Sequence, residues 1–321
     1  MTRRLRFSTA SSMPRVRWLL LCGVFLTFVL PAAVAAEPFA FAGIAPGIYV
    51  HAGAVAETTP QNQGDIANIG FIIGTDAVAM IDSGGSVPVA EAALAAIRQI
   101  TDKPVAYLIN THMHPDHVFG NQVFKAAGAT IIGHRRLPAA LGARASFYKQ
   151  SMREQLGPQL GDQVTITLPD ETVADERRID LGGRTIVLKA WSTAHTDNDL
   201  TVYDTLTRTL FAGDLVFMEH CPVLDGSIKG WLGQIPELQA IPAIRVVPGH
   251  GRVSAPWPKA IQPEKQYLET LAADIRKAIG DGVPLAEAVP HAAAIESTKW
   301  QLFDDYNPRN ATAAYAELEW E

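Results

Sequence analysis

The stretch "VAYLINTHMHPDHVFGN", residues 105–121, sets an apolar run directly before a dense group of histidines. Three of the chain's nine histidines and one aspartate fall within its six residues HMHPDH. The apolar run has the length and composition of a buried strand. Loops that follow strands, held by a rigid sheet, are where α/β folds place their chemistry. The stretch therefore predicts a functional site on an α/β scaffold.

Other apolar runs end in the same way, with a histidine or an aspartate just beyond the run. The residues in question are Asp82 after AVAMI, His195 after TIVLKAW, Asp214 after TLFAG and His250 after IRVVPG. Small residues flank the last three, which lets backbone approach closely. We expect these side chains to gather at one edge of the fold.

Strand-like runs and helical patterns are interleaved, which indicates a layered α/β fold. Amphipathic patterns begin near Val89, near His134 with a break at Pro138, and near Pro263. No repeat, low-complexity tract or long linker divides residues 37–321. We expect one domain there, with a core of about 47–257 and a C-terminal helical segment of about 258–321.

Residues 1–36 have the pattern of a secretory signal peptide. Five arginines precede the apolar run WLLLCGVFLTFVL, and the small residues PAAVAA follow it, which predicts cleavage near Ala35 or Ala36. A membrane anchor is the alternative, but the run is shorter than the roughly 20 residues of a spanning helix. We expect a periplasmic or secreted protein with no stable membrane insertion after cleavage.

The charge balance narrows the class of partner. The net charge is −6, and loss of the leader with its five arginines and no acids brings it near −11. Such an acidic protein is a poor candidate for binding phosphate backbones, which disfavours a nuclease and any nucleic-acid partner and favours a small-molecule substrate. Cys22 leaves with the leader, so Cys221 has no partner for a disulfide.

The spacing in HMHPDH indicates metal binding. Neutral imidazole nitrogens and carboxylate oxygens suit zinc, although iron or manganese would also accept them. Four side chains from so short a loop cannot comfortably surround one ion, so we expect two adjacent divalent ions. His195, Asp214 and His250 are the candidates to complete both coordination shells.

Four motifs together resemble the metallo-β-lactamase superfamily over about Gly47–Trp257. They are HxHxDH, the histidine of AHTDND, the aspartate of AGD and the histidine of PGHG. The resemblance implies an αββα sandwich with a dinuclear site along one edge and, here, C-terminal helices. It implies that one metal binds His112, His114 and His195, that the other binds Asp116, His117 and His250, and that Asp214 bridges them. A bridging aspartate is similar to the glyoxalase II and general hydrolase branch, whereas class B lactamases usually carry cysteine or serine there.

A narrower resemblance rests on four further stretches, GDIANIGFIIG, INTHMHPDHVFGN, HTDNDLTVYD and PVLDGSIKGWL. These are similar to the quinoprotein relay system zinc metallohydrolases. That similarity implies a functional link to a dehydrogenase that depends on pyrroloquinoline quinone.

Two ions that share a water can lower its pKa from 15.7 towards about 7 and supply hydroxide at neutral pH. We expect this hydroxide to cleave a thioester, ester or lactone, with Asp116 as both a ligand and the group that orients the nucleophile. Asp82 and Asp199 either fix histidine tautomers or form turns after strands, and the sequence leaves both readings open.

The segment MEHCPVLDGSIKGWL after Asp214 is expected to form a loop that could reach over the metals. Lys229 and Trp231 in it are candidate substrate contacts, while a packing role is favoured for Cys221. Trp257 is a further candidate substrate contact, with ordinary packing as the alternative. His220 follows Asp214 closely in sequence and could therefore lie near the metals. His51, His134 and His291 are expected to be surface or core residues.

Three other functions compete with the hydrolase. The first is a β-lactam hydrolase, and the second is a non-catalytic protein that binds or relays a quinone. The third is a sulfur dioxygenase with a single iron ion.

Overall fold

The computed structural model describes residues 1–2, 5–8 and 39–321. Its contacts divide the chain into two units, Met1–Pro38 and Phe39–Glu321, and the fold described below is that of the second. The predicted signal peptide, residues 1–36, lies outside the described residues except for positions 1–2 and 5–8. Across the described chain, every helix is too short or too polar to cross a bilayer.

Two sheets form the centre of the second unit. The first sheet has seven strands in the described chain, in the order β1 (Ala42–Ala45), β2 (Ile48–His51), β3 (Ile69–Ile73), β4 (Val78–Ile81), β5 (Val105–Ile109), β6 (Thr130–His134) and β7 (Glu171–Val173). Its first four strands are antiparallel, and β4 to β7 run parallel.

The second sheet has six strands in the described chain. They are β8 (Glu176–Asp180), β9 (Thr185–Ala190), β10 (Leu200–Asp204), β11 (Thr209–Phe217), β12 (Arg245–His250) and β13 (Ala255–Pro256), and they lie side by side in chain order. Neighbours are antiparallel except β11 and β12, which are parallel.

Helices connect the strands and cover both sheets. They are α1 (Val87–Ile100), α2 (Pro115–Val118), α3 (Asn121–Ala126), α4 (Leu137–Leu156), α5 (Pro158–Gly161), α6 (Ile228–Gln239), α7 (Gln262–Gly280), α8 (Leu285–Ala288) and α9 (Phe303–Leu318), with 3₁₀ turns at Lys259–Ile261 and Ala294–Glu296. Serine side chains cap two of them: Ser86 accepts from the Val89 amide at 3.4 Å, and Ser227 accepts from the Gly230 amide at 2.9 Å.

Three apolar layers hold the sheets and helices together. Between the sheets, Ile72 and Ile81 of the first pack with Leu188, Val202 and Phe211 of the second. Burying each such side chain stabilises the fold by about 1.5–3 kcal/mol.

The other two layers lie outside the sheets. Met80 of the first sheet packs with Leu94 and Ile97 of α1, while Trp231 of α6 and Leu271 of α7 pack over the second sheet. The order of layers is helix, sheet, sheet, helix, and the C-terminal α7 and α9 belong to the last one. The predicted αββα fold class with C-terminal helices is therefore confirmed.

Some local predictions from the sequence were wrong. Pro138 does not break a helix but stands in the first turn of α4, where its missing N–H has no intrahelical partner to lose. His134 belongs to β6 and precedes that helix. The segment expected as a loop after Asp214 contains α6, whose glycines and internal Pro236 hid its helical pattern.

Candidate metal centre

The structure brings the seven predicted ligands together where the two sheets meet. Their ligand atoms form two groups, each within 4.8 Å: one comprises His112, His114, His195 and Asp214, and the other comprises Asp116, His117 and His250. The first sheet supplies the HMHPDH residues after β5, and the second supplies the rest after β9, within β11 and at the end of β12. Asp116 and His117 do not lie on an open loop as expected, because Pro115 starts the short α2 there.

Asp214 lies between the two groups. Its Oδ1 is 3.2 Å from His117 Nε2, and its Oδ2 is 3.4 Å from Nε2 of both His195 and His250. The residue stands inside β11, not after it as predicted, where the register shifts on both sides of Gly213, which has φ +53. This bulge turns the carboxylate towards both groups.

Backbone carbonyls fix two of the histidine tautomers. His195 Nδ1 is 2.6 Å from the Val223 carbonyl oxygen, and His250 Nδ1 is 2.9 Å from that of Ile66. A carbonyl oxygen only accepts, so Nδ1 must carry the proton in both rings. In the neutral form of each ring, Nε2 is left with a free lone pair that faces the centre.

Asp82 fixes the tautomers of two more histidines, His117 directly and His112 through Thr111. It accepts from His117 Nδ1 at 2.8 Å and from the Thr111 hydroxyl at 2.7 Å. Because that hydroxyl donates to Asp82, its oxygen accepts from His112 Nδ1 at 3.1 Å. In their neutral forms, His112 and His117 therefore also present a bare Nε2 atom to the centre.

Asp199, the other aspartate considered for this role, contacts no histidine ring among its hydrogen-bonded partners in the described chain. It accepts from the Thr196 amide at 2.9 Å and the Thr196 hydroxyl at 2.6 Å, which closes a turn after His195. Burial raises its pKa to about 8. Of the two readings left open by the sequence, tautomer control describes Asp82 and turn formation describes Asp199.

His114 has the opposite tautomer, with the proton on Nε2, and it is held by Asp225, a residue that the sequence did not single out. Asp225 Oδ2 accepts from His114 Nε2 at 3.0 Å, while Arg144 Nη2 donates to Asp225 Oδ1 at 3.2 Å. Nδ1 of His114 is then bare, and it lies 3.0 Å from the bare Nε2 of His195. Asp225 stands in the stretch PVLDGSIKGWL, but nothing in its spacing connects it with His114, 111 residues away.

The burial of these groups sets their charge. Burial lowers the pKa of His112 well below its usual value and that of His195 to about 4, so both rings are neutral. For Asp214, burial alone would raise the pKa, but His250, His117 and His112 outweigh it and hold the carboxyl well below its ordinary pKa.

His117 and His250 behave differently: burial alone would lower their pKa values, but Asp214 and Asp116 raise that of His117 well above its usual value and that of His250 to about 9. These two rings therefore carry a second proton, which a cation bound at Nε2 would displace.

Unpaired atoms provide the test of fit. His112 Nε2, His117 Nε2 and Asp214 Oδ1 are buried without a hydrogen-bond partner in the described chain. Such groups are costly when nothing satisfies them, and two lone pairs at 3.0 Å, on His114 and His195, repel unless a cation or a proton lies between them. The donor set therefore fits two divalent ions.

A cavity of about 220 Å³ opens on this centre. Asp116, Asp214 and His250 form its floor, Met152 of α4 lines one wall, and Tyr306 of α9 lines the other. A small organic molecule can therefore reach the carboxylate of Asp116.

His220 also lines this cavity, and its ring centroid is 4.9 Å from that of His250. Its Nδ1 donates to the Cys221 carbonyl at 2.6 Å. The thiol of Cys221 is buried, which raises its pKa to about 12, and it packs in the core as favoured from the sequence.

The structure does not bring Lys229 and Trp231 to the cavity. Helix α6 turns Lys229 outwards, where its Nζ is 3.8 Å from Glu321 Oε1. It turns Trp231 inwards, where the indole is 5.5 Å from the His195 ring and supports that ligand from behind. The expected substrate contacts are thus corrected to a surface ion pair and a packing residue, and Trp257 is likewise buried in the core.

The remaining histidines lie away from the centre. His51 bonds to Asp65 at 2.9 Å and stacks on Phe39, His134 is buried, and His291 is exposed. This agrees with the surface or core positions expected for them.

Comparison with known proteins places these features in a family. A model of the Metallo-beta-lactamase superfamily matches residues 62–250. A Beta-lactamase-like protein 2 homolog of Caenorhabditis elegans is 23% identical over 201 residues, 62% of this chain and 60% of that protein. A Linear primary-alkylsulfatase of Pseudomonas sp. is 31% identical over 147 residues, 44% of this chain and 26% of that protein.

The chain thus spans less than two thirds of either curated relative. Among solved structures, a stereoselective inverting sec-alkylsulfatase from Pseudomonas sp. superposes with a TM-score of 0.66 at 16% identity, covering 86% of this chain and 49% of that one. A metallo-beta-lactamase from Pontibacter korlensis gives 0.57 at 20% identity, covering 71% and 98%. Both likenesses establish the fold.

Proposed function

The chain belongs to the metallo-beta-lactamase superfamily, whose members are metal-dependent hydrolases, and we propose that it hydrolyses a thioester, ester or lactone. The observation that carries this proposal is the set of bare ligand atoms on both sides of Asp214, with His114 Nδ1 facing His195 Nε2 at 3.0 Å. A water molecule activated by bound metal would serve as the nucleophile in place of a serine or cysteine side chain. The one cysteine of the domain, Cys221, is buried in the core.

His112, His114 and His195 would hold one cation, and Asp116, His117 and His250 the other, with Asp214 shared between them. A bound pair of divalent ions would supply Lewis acidity and make a water molecule acidic enough to ionise near neutral pH. The imidazole-rich donor set favours zinc over iron or manganese.

The protein's own groups do the positioning. Asp116 is the ligand carboxylate on the cavity floor, where it can orient a water molecule and accept its proton. His117 and His250 lie 3.4 and 3.3 Å from Asp116 Oδ2 and hold the pKa of its carboxyl below the usual value, although burial alone would raise it. Asp116 is therefore ionised, as an acceptor must be.

Sulfate-ester hydrolysis is a second candidate. It is favoured by the similarity to two alkylsulfatases, one of which superposes over 86% of the chain. β-Lactam hydrolysis, supported by the lactamase superposition, is a third. The aspartate at position 214, however, is the residue typical of the general hydrolase branch. We therefore favour an acyl substrate over a sulfate ester or a β-lactam.

The biological setting is part of the proposal. The leader pattern of residues 1–36 supports export to the periplasm or the exterior, and the acidic charge supports a small-molecule substrate. The four stretches similar to quinoprotein relay system hydrolases support a link to a dehydrogenase that uses pyrroloquinoline quinone. Growth of a deletion strain on an alcohol that requires such a dehydrogenase tests that link, and normal growth would contradict it.

The central experiment combines metal analysis with hydrolysis assays. We expect about two divalent ions per purified chain, and turnover of a thioester, ester or lactone that a chelator abolishes. Asp214→Ala should lose both metal and turnover, whereas His291→Gln, at an exposed histidine, should keep both. Full metal occupancy without turnover of any acyl substrate would contradict the proposal, and turnover of sulfate esters or cephalosporins alone would replace it.

A further inference from the structure

Arg309 of α9 lines the cavity that opens on the candidate metal centre. Its guanidinium lies over the Tyr306 ring, 5.4 Å from the centroid. The Tyr306 ring is 4.8 Å from that of His220, which is 4.9 Å from that of His250. Three ring contacts therefore separate the guanidinium from a metal-binding histidine.

Arg309 shares the first cavity with carboxylates, among them Glu57, but it forms an ion pair with none of those in the described chain. A second cavity of about 560 Å³ adjoins the first, and both share His114, Phe147 and Arg309 in their walls. Arg144, the other arginine there, forms an ion pair with Asp225. Arg309 has no carboxylate within salt-bridge distance in the described chain, so its five donors are available to an anion.

An apolar surface lies beside this charge. Phe147 is 68% exposed although it lines both cavities, whereas Tyr148 and Met152 of the same helix also line the first cavity but are buried. Large apolar side chains left exposed at a cavity mouth are characteristic of ligand-binding sites.

We propose that the substrate is an amphiphilic acyl compound with a carboxylate remote from the bond that breaks. Its carboxylate would pair with Arg309, its apolar segment would lie on Phe147, and its thioester, ester or lactone carbonyl would stand over Asp116. This inference rests on the proposed function and specifies the substrate of the same site. Arg309 determines specificity and takes no part in bond breaking.

The reaction is simple hydrolysis. The bond between the acyl carbon and sulfur or oxygen breaks, water supplies the second oxygen of the new carboxylate, and a proton goes to the leaving thiolate or alkoxide. The remote carboxylate stays intact. In a sulfate ester the charged group contains the bond that breaks. Arg309 would hold a charged group three ring contacts away from His250, which does not match such a substrate.

The test compares a matched pair of substrates on the metal-loaded, full-length protein. One is a glutaryl thioester with a free carboxylate, and the other is the same thioester with a neutral carboxamide in place of that carboxylate. We expect Arg309→Gln to raise KM about tenfold for the anionic substrate only, which corresponds to the loss of one charge-assisted contact, with kcat unchanged. Arg309→Lys should restore part of the loss, and Arg178→Gln, an exposed arginine on β8, should behave as wild type.

A binding measurement keeps this test separate from the hydrolase proposal. The non-hydrolysable thioether analogue of the glutaryl substrate is titrated by calorimetry into wild type, Arg309→Gln and Arg178→Gln. Weaker binding in Arg309→Gln alone supports the inference even if no substrate turns over. Equal binding by all three proteins, or an equal KM change for the charged and neutral thioesters, would overturn it.

Discussion

Asp82 holds three groups at once: the Thr111 amide at 2.8 Å, the Thr111 hydroxyl at 2.7 Å and His117 Nδ1 at 2.8 Å. All three are donors, so only a carboxylate satisfies them together. Its backbone φ of +57 is one that aspartate and asparagine tolerate better than most residues. The aspartate thus serves both the turn and the candidate metal ligands.

Asp82→Asn places an NH₂ group where an acceptor is required, while the backbone conformation remains accessible. We expect metal affinity to fall about 10- to 100-fold with little change in far-ultraviolet circular dichroism. Competition with a chromophoric chelator measures the affinity. Asp76→Asn, at an exposed aspartate in the turn before β4, is the control, and equal affinities of the two variants would count against the role of Asp82.

Gly249 gives a steric test of the Asp214 position. A Cβ atom at Gly249 would stand 1.8 Å from Asp214 Oδ1, and Gly249 has no positive φ that would complicate the substitution. Gly249→Ala should therefore displace the carboxylate and lower the number of metal ions bound per chain, as measured by elemental analysis. Gly233→Ala, where a new Cβ meets nothing within 4 Å, should bind metal as wild type does.

The sequence predicted those parts of the site that short motifs carry. HMHPDH, His195, Asp214 and His250 each stand in or near a strand-end motif, and the side chains of all seven candidate ligands lie close together. Asp225 and Arg309 could not be found in this way, because each reaches the site through a contact that only the folded chain creates. The same limit applies to Lys229, whose direction depended on a helix that was not foreseen.

At the level of elements, local composition decided which predictions succeeded. The apolar, β-branched strands β4, β5, β9, β11 and β12 were recognised from their sequence, whereas β8, with the sequence ERRID, carries mostly charged side chains and was missed. Its pairing with β9 comes from backbone hydrogen bonds, which leave no hydrophobic pattern. Gly230, Gly233 and Pro236 concealed α6 in the same manner.

A buried ion pair joins the two sheets near their far ends. Arg184, just before β9, donates to Asp204 at the end of β10 through Nε at 2.8 Å and Nη2 at 2.9 Å. Its Nη1 donates to the Ile73 carbonyl of the first sheet at 2.9 Å. Burial alone would raise the pKa of Asp204, but Arg184 and Thr207 outweigh it and lower that pKa.

Arg184→Gln leaves the Asp204 carboxylate buried without its partner, so we expect a loss of about 3–5 kcal/mol of unfolding free energy at pH 7. Because the folded-state pKa of Asp204 is depressed, the stabilisation is complete above the unfolded pKa of about 3.9 and disappears as the pH falls through the folded value. Urea unfolding at a series of pH values measures this.

The difference between wild type and Arg184→Gln should narrow in acid. The surface variant Arg178→Gln should differ from wild type by less than about 0.5 kcal/mol throughout. A difference that is the same at pH 3 and pH 7 would show that the pair acts by packing and not by charge.

At the scale of the whole molecule, we expect metal binding at the candidate centre to stabilise the fold. Without cations, His112 Nε2, His117 Nε2 and Asp214 Oδ1 have no hydrogen-bond partner among residues 39–321, so a chelator should lower the melting temperature. Zinc at a hundredfold excess over its Kd should restore about 2.7 kcal/mol. Calorimetry of the metal-free and metal-loaded protein measures the shift, and Asp214→Ala, which cannot bridge the two groups, should show a much smaller one.

The two sheets divide the chain cleanly, since the strands of the first end at Val173 and those of the second begin at Glu176. Each half therefore contributes ligands that are of little use alone. Cutting the backbone at Ala174 would yield two complementary fragments whose joint presence, and neither one separately, rebuilds a functional centre. If each fragment were fused to one of two proteins, reassembly of the metal-binding site would report the association of those proteins, and the bound metal would stabilise the reassembled pair.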